Sequence, residues 1–275
     1  MNTPAKLPNQ GTNAMRHHLS LAFLMGFAVV SGQVEAADPA WNYTDQNWGA
    51  LTSSATPPPS NYPYAECTIG TTQTPVDIGT TKTERILNGL TVNWQPFPGD
   101  YFNTGYGIQV QPYAGDLNAG TLKIGKDSYD LIQLHVHEPA EHAVNGALYS
   151  AEMHFVHARV DGRLAVLGVF VTLANASNSE FQKILDNMPN TPGVKTHNKS
   201  SVVINLKKLL PTGNGRFFTY SGSLTTPPCS AGVGWYIYET PLAISPGQYD
   251  QLKSFYFGNN RQLQPLNTRT LVKNK

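Results

Sequence analysis

Two histidines stand one residue apart inside an apolar stretch of the chain. The segment LIQLHVHEPAEH, residues 131–142, holds His135 and His137. Side chains alternate between the two faces of a β-strand, so in an extended segment Gln133 and both imidazoles share one face. The opposite face then holds three apolar residues: Ile132, Leu134 and Val136. The spacing predicts a strand with one face in the core and one polar face suited to binding a ligand.

A second segment, AEMHFVHARV (residues 151–160), offers a third histidine on such a face. Alternation puts Glu152 and His154 on one side of the predicted strand and His157 on the other. If the two strands pair as neighbours, with the turn in VNGALYS (residues 144–150), the three imidazoles of the two polar faces converge.

Three neutral imidazoles around an open fourth position form the ligand set of catalytic zinc, whereas structural zinc is usually closed by four ligands. A ligating imidazole usually gives its second N–H to an acceptor, and Gln133 and Glu152 each lie two residues from a candidate ligand on the same face. An isolated His-x-His pair is also typical of a solvated strand face. Here five of the eight histidines fall within 23 residues, which favours the metal site. His142 and His157 are assigned hydrogen-bonded structural roles.

The elements that must position these histidines are mainly strands. Short apolar and β-branched runs alternate with Gly, Pro and Asn turns, without an internal repeat or a dividing linker. The proline-rich segment 52–63 is predicted to be a surface excursion. Two stretches have helical signals: SEFQKILDNM, with Phe181, Ile184, Leu185 and Met188 at helical spacing, and SPGQYDQLKSF, with Ser245 as cap, Pro246 in the first turn and Gln248 three residues after the cap. Residues 37–275 are therefore expected to form a single, mainly β domain with a few short helices.

Residues 1–36 are predicted to be an export signal. The apolar run LSLAFLMGFAVV (residues 19–30) is too short to span a bilayer, and VEA offers small residues before a cleavage at Ala37. Met15 stands directly before the basic start of this signal, so translation is able to begin there. We expect a periplasmic or secreted protein; the alternative is an uncleaved N-terminal anchor.

The charge balance gives no support to partners that need a strongly charged surface. Without residues 1–36, the chain has 17 basic and 17 acidic side chains. A chain with no net charge gives no electrostatic reason to bind nucleic acid or an anionic membrane. With 40% hydrophobic residues in 275, it is long enough to bury a large core.

Export also bears on the only two cysteines, Cys67 and Cys229. Thiols in an oxidising compartment tend to pair, so one disulfide is predicted. The alternative is two unrelated buried thiols.

Six motifs in this order resemble an alpha-class carbonic anhydrase of the exported bacterial type: TQTPVDI, LIQLHVHEPAEH, AEMHFVH, VLGVF, GSLTTPPC and NNRQLQPLN. The resemblance extends from about Trp41 to Asn267. It implies a central twisted, mostly antiparallel sheet that carries zinc at the bottom of a conical cavity. It also implies three zinc ligands and one disulfide: His135, His137 and His154, and Cys67 with Cys229.

The resemblance implies roles for further residues. Thr225 matches a hydroxyl that accepts from zinc-bound hydroxide and donates to a glutamate, here Glu141. A hydroxyl has one proton, so giving it to the carboxylate leaves only lone pairs facing the metal. Thr226 is expected next to the substrate. The apolar wall that holds carbon dioxide is matched by five residues: Val156, Val166, Leu224, Val233 and Trp235.

The implied activity is reversible hydration of carbon dioxide to bicarbonate and a proton through zinc-bound hydroxide. Zinc lowers the pKa of its bound water to about 7, a value established for carbonic anhydrase and not a result of this sequence. Zn²⁺ is the only cofactor indicated, and small anions and sulfonamides are the expected inhibitors. A side esterase activity and an inactive carbonic-anhydrase-like binding module are the alternatives; the intact histidine set disfavours the module. The oligomeric state is not determined, and a homodimer stays open.

One position departs from the family pattern. In FNTGYGIQV (residues 102–110), Tyr106 stands where many relatives place a proton-shuttling histidine after a glycine. A phenol with an ordinary pKa near 10 is a poor relay for a proton leaving a group of pKa about 7, whereas imidazole near 6.5 is well matched. The sequence therefore predicts slow proton release, unless another cavity group or a water chain carries the proton.

Overall fold

The structure is a computed structural model that describes residues 39–53, 61–79, 82–84, 89–113, 119–197, 201–213 and 215–274. The predicted export signal, the start at Met15 and residues 54–60 of the proline-rich segment lie outside these ranges. The described residues form one compact unit. No helix among the described residues is long and apolar enough to cross a membrane.

Strands dominate the described chain. In chain order they are β1 (Lys82–Glu84), β2 (Leu90–Trp94), β3 (Phe97–Asn103), β4 (Ile108–Pro112), β5 (Gly120–Ile124), β6 (Asp127–His137), β7 (Ala143–Val144), β8 (Ala147–Leu148), β9 (Ala151–Ala158), β10 (Leu164–Leu173), β11 (Lys195–His197), β12 (Val203–Ile204), β13 (Phe217–Ser223), β14 (Ala231–Ile244) and β15 (Val272–Asn274). The helices are α1 (Glu66–Ile69), α2 (Ser179–Asn187) and α3 (Pro246–Lys253), with 3₁₀ turns at Trp48–Ala50 and Leu206–Leu209.

One large sheet holds all but two of these strands. Its order is β1-β15-β13-β14-β10-β9-β6-β4-β3-β11, with β12 paired to β3, and β5 to β6 and β2. Within the described chain, β1–β15 and β10–β14 pair in parallel and the other strand pairs of this sheet are antiparallel. The expected fold class, a mainly β domain built on a mostly antiparallel sheet, is confirmed.

The pairing of β6 with β9 is the step that brings the histidines together. The two strands are antiparallel neighbours, and the register sets His135 opposite His154 and His137 opposite Glu152. The turn between them lies in the predicted segment: Asn145 and Gly146 both have positive φ and connect the short β7–β8 hairpin. Asn-Gly is the pair favoured in such two-residue hairpin turns.

One residue of β6 is not where strict alternation puts it. Ile132 was expected in the core, but it is exposed. The register with β9 shifts between Leu131 and Gln133, so Ile132 lies in a β-bulge, where an extra residue leaves the ladder. Leu134 and Val136, beyond the bulge, are buried as expected.

The two predicted helices form at the predicted positions. In α2, the side chain of Asn178 caps the first turn by accepting from the backbone N–H groups of Glu180 and Phe181. In α3, Ser245 and Gln248 form the predicted capping box. The four-residue helix α1 was not predicted, because one turn is too short to show a helical period.

The core has an apolar cluster on each face of the sheet. Met153 and Phe155 of β9 pack in one cluster together with apolar residues of α2 and α3. Val156 packs in the other cluster, as strand alternation requires. Helices α2 and α3 therefore cover one face, and the histidine face of β6 and β9 looks toward the other.

Candidate metal centre

Three imidazoles converge at the centre of the sheet. His135 and His137 come from β6 and His154 comes from β9, and one ligand-capable atom from each lies within 4.8 Å of the others. The ring centroids are 4.9 Å apart for His135 and His137, 5.1 Å for His135 and His154, and 4.6 Å for His137 and His154. His137 and His154 are fully buried and His135 is partly buried.

Each ring on β6 is held by a hydrogen bond from its outer nitrogen. His135 Nδ1 lies 2.8 Å from Gln133 Oε1, as the sequence predicted. His137 Nδ1 lies 2.7 Å from the backbone oxygen of Asn259, a partner that the sequence did not reveal. Both partners only accept, so each Nδ1 carries the proton and each Nε2 keeps its lone pair.

His154 is held through Nε2, whereas the two histidines of β6 are held through Nδ1. Its Nε2 lies 2.9 Å from Glu152 Oε1, the second predicted outer partner. The carboxylate accepts the proton of Nε2, so the lone pair of His154 is on Nδ1. In histidines that bind a metal, an outer acceptor of this kind fixes the tautomer of the ring.

The electrostatics keep the β6 histidines neutral. Burial, followed by repulsion from His137 and His154, holds the pKa of His135 well below its usual value. Burial also lowers the pKa of His137, although Glu141 acts in the opposite direction. Both rings are therefore neutral at pH 7, which is the form that binds a metal ion.

The residues present fit a metal ion. His137 Nε2 is buried without a hydrogen-bond partner, a costly state for a polar atom unless something else occupies its lone pair. Three imidazole nitrogens suit zinc better than calcium or magnesium, which prefer oxygen ligands. Cys67 and Cys229 supply no thiolate, because they form the predicted disulfide, with a Cα–Cα distance of 5.0 Å.

A second cluster, formed by His142, Glu152 and His154, is a hydrogen-bonded network. His142 Nδ1 lies 2.8 Å from Glu152 Oε1, and His142 Nε2 lies 2.7 Å from the Tyr220 hydroxyl. Burial alone would raise the pKa of Glu152, but His142 and His154 lower it well below its usual value. Both nitrogens of His142 are engaged, so this cluster orients His154 rather than offering a second metal site. The structural role assigned to His142 thus includes a link to the metal centre.

His157 lies on the opposite face, as predicted. The Trp94 indole N–H donates to its Nε2 over 3.0 Å. Burial lowers the pKa of His157 to about 3, so the ring is a neutral hydrogen-bond acceptor in the core.

Glu141 reaches the same centre. Its Oε1 accepts the backbone N–H of Arg261, while its Oε2 lies 3.4 Å from His137 Nε2 and 3.8 Å from His154 Nδ1. Thr225 is buried, but among the described contacts there is no hydrogen bond between its hydroxyl and Glu141, whose Oε2 is without a hydrogen-bond partner. The expected Thr225–Glu141 link therefore stays a prediction.

The residues expected to form the apolar wall pack together beside the histidines. Trp235 lies 4.8 Å from His154 between ring centroids, and its indole N–H donates to the backbone oxygen of Ser223. The cluster contains all five predicted wall residues: Val156, Val166, Leu224, Val233 and Trp235. Thr226 is partly buried in the following turn, where its backbone oxygen accepts from Cys229 N.

Tyr106 is engaged with the N-terminal segment. Its ring stacks on Trp41 at 4.6 Å between centroids, and its hydroxyl donates to the Trp41 backbone oxygen over 3.0 Å. Tyr43 lies beside it, with ring centroids 6.4 Å apart. Burial, then the negative charge of Glu141, raises the pKa of Tyr43 well above its usual value.

Arg261 was missed by the sequence reasoning. This buried guanidinium donates to Gln73 Oε1 and to the backbone oxygens of Thr74 and Cys67, while the backbone N–H of Arg261 donates to Glu141 Oε1. It thereby joins the disulfide region to the carboxylate in the centre. The motif NNRQLQPLN contains Arg261 and Asn259, but contacts more than 100 residues away in sequence leave no periodic signal.

Comparison with known proteins agrees with this geometry. The profile of the eukaryotic-type carbonic anhydrase family matches residues 58–275. A carbonic anhydrase from a Nostoc strain is 34% identical over 251 residues, covering 88% of this chain and 89% of the relative.

Two solved structures share the fold. The alpha-carbonic anhydrase of Thermovibrio ammonificans, in complex with the inhibitor sulfanilamide, has a TM-score of 0.75 and 36% identity, with coverage of 85% of this chain and 98% of that one. A carbonic anhydrase from Chlamydomonas reinhardtii, in complex with acetazolamide, has a TM-score of 0.70 and 31% identity, with coverage of 86% and 99%.

The family profile covers most of the chain, and the relatives are matched over nearly their whole length. The histidine centre, its hydrogen-bond partners and the adjacent apolar cluster all lie inside the matched region. The chain belongs to the eukaryotic-type carbonic anhydrase family and is a carbonate dehydratase of the alpha class.

Proposed function

We propose that this protein is a zinc-dependent carbonic anhydrase that hydrates carbon dioxide reversibly to bicarbonate and a proton. His135 Nε2, His137 Nε2 and His154 Nδ1 would hold the metal. Zinc, when bound, lowers the pKa of a coordinated water to about 7, the established value for this family, and so supplies a nucleophile at neutral pH. The observation that carries the proposal is the convergence of three imidazole nitrogens within 4.8 Å, with the second nitrogen of each ring held by an acceptor.

The chain's own residues would then orient the reactants. Glu141 Oε2 is free to accept a proton from Thr225, which would leave the Thr225 lone pairs facing the nucleophile. The apolar cluster around Trp235 offers carbon dioxide a surface without competing hydrogen bonds. Substrate and nucleophile would therefore meet beside His154.

The proton released by hydration has to leave toward solvent. Tyr106 is the residue at the position expected for a relay, and its hydroxyl already donates to the Trp41 backbone. We propose that this side chain does not carry the proton and that soluble buffer collects it.

The decisive experiment measures zinc content and carbon dioxide hydration on the same purified protein. We expect about one zinc per chain, loss of hydration on chelation and recovery when zinc is returned. Hydration that survives complete removal of the metal would refute the proposal. So would a protein that binds no zinc and has no activity.

Sulfonamides provide a second test of an accessible site. The Thermovibrio and Chlamydomonas structures contain sulfanilamide and acetazolamide. We propose that such compounds and small anions inhibit this protein by binding at the metal. Inhibition by neither class would count against an open coordination position.

The two alternative activities are separable by assay. The same nucleophile would attack activated esters, so ester hydrolysis is proposed only as a side activity, slower than hydration. A purely binding protein has no need for three imidazoles whose tautomers are each fixed, and the absence of both activities would favour it.

We also propose that the mature protein works outside the cytoplasm. The Cys67–Cys229 disulfide supports this, since such bonds persist mainly in oxidising compartments. Intact mass of the protein exported by a bacterial host tests the proposal: a chain that begins at Ala37 supports it, and a full-length cytoplasmic chain refutes it.

A further inference from the structure

Glu138 is a buried carboxylate directly after the candidate ligand His137. It is 4% exposed, and among the described residues no lysine, arginine or histidine forms an ion pair with it. Its Oε1 accepts a hydrogen bond from the Tyr249 hydroxyl of helix α3, and its Oε2 has no hydrogen-bond partner. A buried carboxyl group with one hydrogen-bond partner and one unpaired oxygen is costly, and an apolar residue would fill the same volume at lower cost. Its presence therefore calls for a reason other than packing.

The backbone at Glu138, directly after the end of β6, helps to hold His137 in place. Glu138 N donates to Asn259 Oδ1 over 2.7 Å, and Asn259 N donates to the Glu138 backbone oxygen over 3.1 Å. Asn259 Nδ2 and the Tyr256 hydroxyl both donate to the Val136 backbone oxygen. The end of β6 and residues 256–259 are thus joined on both sides of His137.

This junction fixes the position of the Asn259 backbone oxygen, which contacts the candidate ligand His137. The backbone oxygen of Asn259 accepts from His137 Nδ1 over 2.7 Å and so sets the tautomer and the angle of that ring. Residues 254–259 follow directly from α3, so the placement of the oxygen depends on where α3 lies. Tyr249 is the residue of α3 that bonds to Glu138.

From these contacts we propose that Glu138 and Tyr249 form a positioning pair, which holds α3 against the end of β6 and thereby keeps the Asn259 carbonyl aimed at His137. The inference rests on the proposed zinc site. Glu138 contributes to a raised pKa in two neighbouring phenols. Burial, then the hydrogen bond to Glu138, raises the pKa of Tyr249 to about 12, so this phenol stays a donor at neutral pH. Burial, then Glu138, also raises the pKa of Tyr256 well above its usual value.

The test compares four variants in the zinc-loaded protein: Tyr249→Phe, Glu138→Ala, Glu138→Gln and the double change Glu138→Ala/Tyr249→Phe. Zinc release to a chromophoric chelator should become about tenfold faster in Tyr249→Phe and in Glu138→Ala, the lower end of the effect of losing a group that orients a metal ligand. Glu138→Gln keeps an acceptor for the phenol and should stay within about twofold of the unmodified protein. The double variant should be no worse than either single change, because both remove the same hydrogen bond.

A matched control separates positioning from a general loss of stability. Glu180 in α2 is also a buried carboxylate, held by Lys183 and by the backbone N–H of Asn205, and none of its described contacts involves the histidines of the metal centre. Glu180→Ala should lower the unfolding midpoint and leave zinc release unchanged. The visible spectrum of the cobalt-substituted protein should change in Tyr249→Phe and not in Glu180→Ala.

The outcomes distinguish failure of the proposed function from failure of the positioning pair. Unmodified protein that takes up no zinc refutes the proposed function, and the positioning pair with it. Protein that binds zinc normally, but whose release rate is the same in Tyr249→Phe and Glu138→Ala, refutes the pair alone. Glu138→Gln as impaired as Glu138→Ala would also overturn it, since charge rather than the hydrogen bond would then matter. If Tyr249→Phe does not fold, the comparison of Glu138→Gln with Glu138→Ala decides by the same criteria.

Discussion

His135 and His154 lie directly opposite each other on β6 and β9, with their ring centroids 5.1 Å apart. The pairing of β6 with β9 alone brings these two candidate ligands together. The antiparallel register, rather than proximity in sequence, therefore assembles the candidate metal centre.

Replacing His154 with alanine should abolish the metal centre. Two imidazoles remain, so zinc affinity should fall, and carbon dioxide hydration should drop by about 10³-fold or more toward background. Metal analysis and hydration rates on the same preparation test this. Full activity in the variant would contradict the ligand assignment.

The matched control for that variant is His157→Ala, on the opposite face of β9. The Trp94 indole N–H would lose its acceptor, which should lower the free energy of unfolding by about 2–4 kcal/mol together with the cavity left behind. Zinc content should stay unchanged at temperatures where the variant is folded. A large loss of zinc in the folded variant would show that the faces of β9 are wrongly assigned.

Thr225→Ala and Glu141→Gln should each lower hydration by about 100-fold with zinc still bound, if the two residues act as one hydrogen-bonded unit. The double variant should then be hardly worse than either single variant. Hydration rates at equal zinc content give the coupling. Simple additivity would break the proposed link, which the structure leaves open because Glu141 Oε2 has no hydrogen-bond partner.

Turnover should depend on soluble buffer. Without a relay, proton release to water is limited to about 10³ s⁻¹, from an association rate of about 10¹⁰ M⁻¹s⁻¹ and an acid constant of about 10⁻⁷ M. Imidazole-type buffers should therefore raise turnover, and Tyr106→His should raise it at low buffer while leaving the second-order constant for carbon dioxide nearly unchanged. Turnover that is fast and independent of buffer in the unmodified protein would refute this prediction.

Tyr106→Phe is the control for that substitution. It keeps the stack on Trp41 and removes only the hydroxyl that donates to the Trp41 backbone. Buffer dependence should be the same as in the unmodified protein. A marked drop in turnover at all buffer concentrations would instead show that the tyrosine hydroxyl takes part in proton transfer.

The metal-free protein should lose stability as the pH falls below about 6.5. The pKa of His157 is about 3 in the folded state against 6.5 when unfolded, so the unfolded chain binds more protons between these values. The stabilisation is fully present above pH 6.5 and decreases by up to about 1.4 kcal/mol per pH unit as the pH falls toward 3. The lowered pKa values of His135 and His137 act in the same direction.

Denaturant unfolding of the metal-free protein between pH 4 and 8, a range chosen from these values, measures this slope. His157→Gln keeps an acceptor for Trp94 and cannot be protonated, so its slope should be shallower by up to about 1.4 kcal/mol per unit. An unchanged slope would show that His157 is not a buried neutral ring.

Besides the single possible cysteine pair, the sequence by itself indicated the three histidines on polar strand faces and the two main helices. Periodicity carries this information: His135 and His137 share a face because a strand has period two, and Ser245 with Gln248 is a local capping pattern. Likewise, Gln133 and Glu152 were identified because an outer partner two residues away lies on the same face. Such short-range rules need no knowledge of the rest of the chain.

Other features were decided only by the tertiary structure. Strand β3 contains Pro98 and Gly99, which look like a turn in sequence, yet pairing with β4 and β12 makes the segment extended. The bulge that exposes Ile132 depends on the register with β9.

The contacts of Asn259 with His137, and of Tyr106 with Trp41, span 122 and 65 residues. Local patterns report what lies within a few residues along the chain, because propensity and periodicity are properties of short segments. Which distant backbone oxygen meets a given imidazole or phenol is set by how the strands and loops pack, and only the folded structure contains that information.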